Sequence, residues 1–182
     1  MTKQFTIVVI VWLLFSFNTI AAQDENTIRW SSERKLTWND FRGEPEIHSS
    51  PAAVTASGID HGFSASLVGQ KVTYESQVHC YFIPEKSWYK KQLADEALLA
   101  HEQLHFDIAE LHARMLRKRI SNYKFTPNIK KEMNTLYSNT VKQLKEFQKN
   151  YDQATNYSIN TNQQKIWQAK VAALLKEYSD YQ

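Results

Sequence analysis

From about Trp88 onward the apolar residues change their period, and that change constrains the fold more than any other feature. Leu93, Ala97, Ala100, Leu104, Ile108, Leu111 and Met115 recur at intervals of three and four. This is the stripe of an amphipathic helix of about 30 residues, ending near Ile120. A second stripe, Ile129, Met133, Leu136, Thr140, Leu144, Phe147 and Tyr151, predicts a second helix. Thr126 is expected to cap it, with Pro127 in its first turn. It should stop around the polar, aperiodic YDQATNYSIN. A third helix is expected from Thr161, where Thr161 and Gln164 fit a Thr-x-x-Gln capping box, through Ile166, Trp167, Val171, Leu174 and Leu175.

Residues 23–90 read as strand and loop. KLTWNDF alternates Leu36 and Trp38 with polar neighbours and runs into the turn-rich RGEPEIHSSP. AAVTASGID is a weaker strand. SASLVGQKVTYESQVHCYFIP carries the best strand pattern, with Val72, Tyr74, Val78, Cys80 and Phe82 on alternating positions. Gly69 and Gln70 are placed to turn a hairpin, and Pro84 ends the last strand. Strands first and helices after imply an α+β fold: a small N-terminal antiparallel sheet packed on a C-terminal bundle of about three helices.

The start of the chain is set apart. MTKQFTIVVIVWLLFSFNTIAAQDEN has one cation, an apolar run from Phe5 to Phe17, small residues at Ala21 and Ala22, then Asp24 and Glu25. That order predicts a secretory signal peptide over residues 1–22 and one domain over residues 23–182. The apolar run is shorter than the roughly 20 residues a membrane-spanning helix needs. A secreted or periplasmic location follows, with no membrane association after cleavage. Without Lys3, 21 basic residues stand against 19 acidic ones, which argues against nucleic acid as a partner. The basic run RMLRKRI is expected to be a solvated helix face. Cys80 is the only cysteine, so no internal disulfide is expected, and its place in an apolar strand predicts a buried side chain.

Within the first helix stands LLAHEQLHFD. His101 and His105, four apart, put their Cβ atoms about 5–6 Å from each other on one side of the helix. Two imidazoles so placed can each present a nitrogen at about 2.0–2.1 Å from one Zn²⁺. Glu102 is turned by about 100° from His101, so it cannot approach the metal as the histidines do and can instead face a metal-held water and take its proton. The HExxH pattern needs each residue type at its own angle, which makes the spacing informative.

A catalytic zinc site also needs a third protein ligand. His112 returns to the same face, but at 1.5 Å per residue it lies about 10 Å along the axis from His105. A carboxylate from the antiparallel helix is expected instead. Counting back from a turn at 121–127 places residues near 143–147 beside the histidines, with Glu146 at that level. The stripe Leu144, Phe147, Tyr151 turns Glu146 partly away and favours Asp152, where the helix can open. The strand around 71–83 is expected to border the cleft and pair with substrate backbone.

Several segments occur together in a fixed order: LTWNDF, SW at Ser87–Trp88, LLAHEQLHFDIAELHAR, YDQATNYS and QQKIW. In this they resemble the bacterial DUF922 family, described as predicted secreted zinc-dependent proteases, over roughly Leu36 to Leu175. The resemblance implies a zincin-like fold, with His101 and His105 as zinc ligands and Glu102 as base. The family's second motif reads closer to YDxETxHG. Tyr151, Asp152 and Thr155 match it; Ala154 stands where the family often has Glu, and Tyr157 where it often has His. Tyr157 would then substitute as a phenolic ligand or stabilise an oxyanion, or the site would be inactive. The leading expectation is a zinc metallopeptidase with a peptide or protein substrate; the rival is an inactive zincin-like envelope protein acting as a binding or structural module.

Overall fold

The computed structural model describes residues 27–46 and 48–182. The expected signal peptide lies outside them. Two long strands, β3 (Ser57–Val68) and β4 (Lys71–Phe82), pair antiparallel in unbroken register from Ser57↔Phe82 to Val68↔Lys71, after a short β1 (Ile28–Arg29) and β2 (Ala53–Val54). The hairpin turns at Gly69 and Gln70, as the sequence predicts. Gly69 takes a φ of 61°, which a two-residue turn demands and which glycine adopts at no steric cost. β1 adds to the other side of β4 at its end, with Ile28 opposite Phe82, giving the order β1-β4-β3. Alternation turns Ile59, Val78, Cys80 and Phe82 inward, all buried.

β2 pairs instead with β5 (Trp88–Tyr89), Ala53 opposite Tyr89. This pairing delays the first helix, α1, which spans Glu96–Asn122 rather than starting near Trp88. The Lys90 N–H donates to the Ala52 carbonyl at 2.8 Å, and Lys91–Leu93 form a 3-10 turn. Asp95 then caps α1 by accepting from the Leu98 N–H at 2.7 Å. KLTWNDF is likewise not a strand. Trp38–Asp40 form a 3-10 turn, because the Asp40 carboxylate accepts from the Thr37 N–H and hydroxyl. Leu36 is buried in the core, and Trp38 stacks on Tyr89 at 4.3 Å.

α2 spans Ile129–Thr155 and α3 Thr161–Glu177. α2 starts later than expected from Thr126, whose N–H and hydroxyl are held by the Glu132 carboxylate in a turn ahead of the helix. The cap of α3 is Asn160, which accepts from the Gln163 N–H, not Thr161; Gln164 donates to the Ala97 carbonyl and ties α3 to the start of α1.

α1 lies between the sheet and the other two helices. Phe106, Ile108, Ala109, Leu111, Ala113 and Leu116 are all buried, so this helix is covered on nearly every side. The run RMLRKRI is not simply a solvated face. Arg114 is buried, donates to Glu110 at 2.9 Å, and reaches the Leu175 carbonyl and Gln182. Arg117 donates to Glu110 and to the Val78 and Tyr181 carbonyls. These arginines join the sheet and the C-terminal segment to α1. The α+β layout read from the sequence therefore holds. No described helix is long and apolar enough to cross a membrane.

Candidate metal centre

The antiparallel packing of α1 and α2 brings three donor atoms to one point. His105 Nε2 is 2.8 Å from Asp152 Oδ1, and His101 Nε2 is 3.2 Å from the same oxygen. The two Nε2 atoms are 3.2 Å apart. Among the described residues these three form the group that could hold a metal ion. The donor set fits one. Bonds of about 2.0–2.1 Å in a tetrahedral site separate the donors by roughly 3.3 Å. Two imidazole nitrogens and a carboxylate oxygen 2.8–3.2 Å apart match that spacing, so one cation could take all three as donors.

Electrostatics at the centre are mutual. Burial by itself would raise the pKa of Asp152, but hydrogen bonds from His101 and His105 hold its carboxyl down to about 2. Burial would lower that of His105; the bond to Asp152 and the charges of Glu102 and Asp152 reverse the balance and leave it raised. Asp152 is thus an anion at neutral pH, as a ligand must be.

Residues of α2 behind the ligands hold α1 in place. Tyr151 is fully buried, stacks on the His101 ring at 4.5 Å, and donates its hydroxyl to the His101 carbonyl at 3.4 Å. Burial, with the negative charges of Glu102 and Asp152, pushes its phenol far up, so it stays protonated. Gln148 donates to the His105 carbonyl at 3.1 Å. Sequence reading gave Tyr151 only a core role and passed over Gln148. Their signal was the i−1 and i−4 spacing from Asp152 on one helix.

Glu102 lines the cleft that contains the three donors, a space of about 270 Å³. It is 4% exposed, and no hydrogen bond or ion pair among the described residues engages its carboxylate. The far wall is Pro51 to Thr55, which includes β2. The Thr55 hydroxyl donates to the Glu102 carbonyl at 3.2 Å and ties that wall to α1.

Two expectations need correction. Residues 148–152 of α2, not 143–147, lie beside the histidines, because the connection runs on to Asn128 before α2 begins. Glu146 is accordingly exposed and outside the donor group. The strand at 71–83 does not border the cleft: Tyr74 to His79 face the C-terminal part of α1 and Gln182, and the bordering strand is β2. His112 is packed in the core, its Nδ1–H donating to the Ile108 carbonyl at 2.8 Å and its ring edge-on to Phe147.

Tyr157 sits on the cleft rim, 65% exposed. It lies in a left-handed run, Asn156, Tyr157 and Ser158, with φ of 47°, 52° and 77°. The Tyr157 N–H donates to the Asp152 carbonyl at 2.8 Å, so this run is anchored to the last turn of α2.

The sequence model of a bacterial protein family of unknown function, DUF922, matches residues 85–159. The matched span contains His101, Glu102, His105 and Asp152, and the family resemblance holds over it. No curated protein and no solved structure matches the chain.

Proposed function

We propose that this chain is a zinc-dependent metallopeptidase acting in a secreted or periplasmic setting. The observation that carries the reading is the convergence of His101 Nε2, His105 Nε2 and Asp152 Oδ1 within 3.2 Å, beside a buried and unengaged Glu102. A ligand set of two imidazoles and one carboxylate suits zinc and leaves a fourth position open. Bound there, zinc supplies a Lewis acid for the peptide carbonyl and lowers the pKa of water to about 7.

Each residue then has a task. Glu102 takes a proton from the attacking water and delivers it to the nitrogen of the leaving amine. Its freedom from partners leaves the carboxylate available for both transfers. Tyr157, on the rim, offers a phenolic donor to the oxyanion that develops on the carbonyl. Tyr151 and Gln148 fix the backbone at His101 and His105 and so the angle between the imidazoles. The free edge of β2 receives the substrate backbone. The Ala52 carbonyl is used by Lys90, so strand alternation turns the N–H and C=O of Ala53 away from β5 and toward that edge.

The extracytoplasmic part of the reading rests on the residue pattern of positions 1–22. N-terminal sequencing of exported protein should find a start near Gln23.

One specific observation favours a second reading, a scaffold that binds zinc without hydrolysis. Ala154 and Tyr157 depart from the family's second motif, and Tyr157 is outside the donor group. The purified protein loaded with one zinc equivalent, incubated with a mixed peptide library, separates the two. Cleavage that a chelator stops and added zinc restores supports the peptidase. Zinc at one per chain with no cleavage of any peptide supports the scaffold.

A further inference from the structure

A second recess, of about 850 Å³, opens directly beside the metal cleft. The two share Pro51, Ala52, Leu98 and Tyr157, so a molecule in one reaches the other without leaving the surface. The second recess is markedly apolar at its mouth. Leu93, Tyr157 and Ile159 line it and are 51%, 65% and 74% exposed. Large apolar side chains gathered at a concave surface mark a ligand site more reliably than single exposed ones do. The only charged residue in its lining is Asp95, whose carboxylate is already engaged with the Leu98 N–H at the start of α1.

The backbone supports the same conclusion. Three consecutive non-glycine residues with positive φ are each unfavourable, and such strain persists only where surrounding bonds hold it. Here the Tyr157 N–H to the Asp152 carbonyl and the Asn160 N–H to the Thr155 carbonyl, at 2.8 and 2.7 Å, fix the loop. The loop so fixed holds Tyr157 and Ile159 exposed at the rim of the recess.

We infer that this recess is the specificity pocket of the enzyme: it receives a large apolar side chain, aromatic or branched aliphatic, from the peptide whose scissile bond lies at the His101–His105–Asp152 centre. Leu93, Leu98 and Ile159 contact that side chain, and Tyr157 stands between it and the bond. This rests on the zinc peptidase reading.

The test uses the zinc-loaded full chain and two peptide hydroxamates that differ in one residue next to the metal-binding group, phenylalanyl or glycyl. Calorimetry measures both. Burying one large apolar side chain should make the phenylalanyl compound bind about tenfold to a hundredfold tighter. Leu93→Asp and Ile159→Asp, both at exposed positions that folding tolerates, should cut that preference to less than about threefold. The glycyl compound should bind these variants as it binds the parent. Equal affinity of the two hydroxamates, or a preference the variants leave intact, refutes the pocket while the metal reading stands. Failure of both compounds to bind the zinc-loaded chain refutes the open fourth position and the pocket with it, and a chain that takes up no zinc refutes the metal reading itself.

Discussion

Exchanging Asp152 for asparagine keeps the shape of the side chain and removes its charge. In the folded chain Asp152 Oδ1 meets both imidazole nitrogens, at 2.8 and 3.2 Å, and its carboxyl is held down to about 2, so the charge is present at neutral pH. Losing only an outer-shell partner of a zinc ligand costs about 10–100-fold in affinity, so losing this inner ligand should cost at least about 100-fold. At a zinc concentration about 100 times its Kd, binding to the folded state adds about 2.7 kcal/mol. In a domain of this size that raises the unfolding midpoint by about 5–11 °C. In Asp152→Asn the same zinc concentration only equals the weakened Kd, the gain falls to about 0.4 kcal/mol, and the shift shrinks to about 1–2 °C. Thermal unfolding followed by circular dichroism, with and without zinc, reads both numbers. Glu146→Gln, at an exposed position outside the donor group, should keep the full shift. A full zinc shift in Asp152→Asn, or its loss in Glu146→Gln, would refute the assignment of the third ligand.

Other consequences are equally direct. Glu102→Gln should lower kcat by about 10²–10⁴ and leave the zinc content at its parental value, as measured by peptide cleavage beside metal analysis, because the change removes a proton acceptor and no ligand. Activity within tenfold of the parent would exclude Glu102 as the base. Ser158→Gly should raise stability by about 1 kcal/mol in urea unfolding, since glycine takes a φ of 77° without steric cost; a loss of stability would show that the loop is not strained. His112 has its pKa lowered by burial, so below 6.5 the unfolded chain takes up a proton that the folded chain refuses, and stability falls as pH falls toward the folded value. His112→Phe should therefore flatten the stability profile on the acid side of pH 6.5, and an unchanged slope would assign that loss to other groups.

What could be read from the sequence was local. The spacing of His101 and His105, the helix around them and the hairpin at Gly69 each depend on neighbours a few residues away, and periodicity reports them. Asp152 was reachable because the apolar stripe of α2 points past it toward α1. The misreadings arise where distant segments meet. Trp88 and Tyr89 look like helix from their spacing, but they pair with Ala53 and Val54, some 35 residues upstream. The place of β2 at the cleft was missed for the same reason: AAVTASGID reads as a weak strand, but nothing in it shows that it lies across from Glu102. Arg114 resembles any surface cation until its partners, Glu110 and the Leu175 carbonyl, are brought to it by packing.

The proposed hydrolysis needs one cation held by His101, His105 and Asp152. X-ray absorption at the zinc edge, on protein purified without added chelator and carrying a measured zinc content, tests it most directly. The predicted result is one zinc per chain with a four-coordinate shell of two imidazoles and two light oxygen ligands, one of the oxygens lost in Asp152→Ala. A chain without stoichiometric zinc, or a shell that is unchanged when His101 and Asp152 are both replaced by alanine, would contradict it.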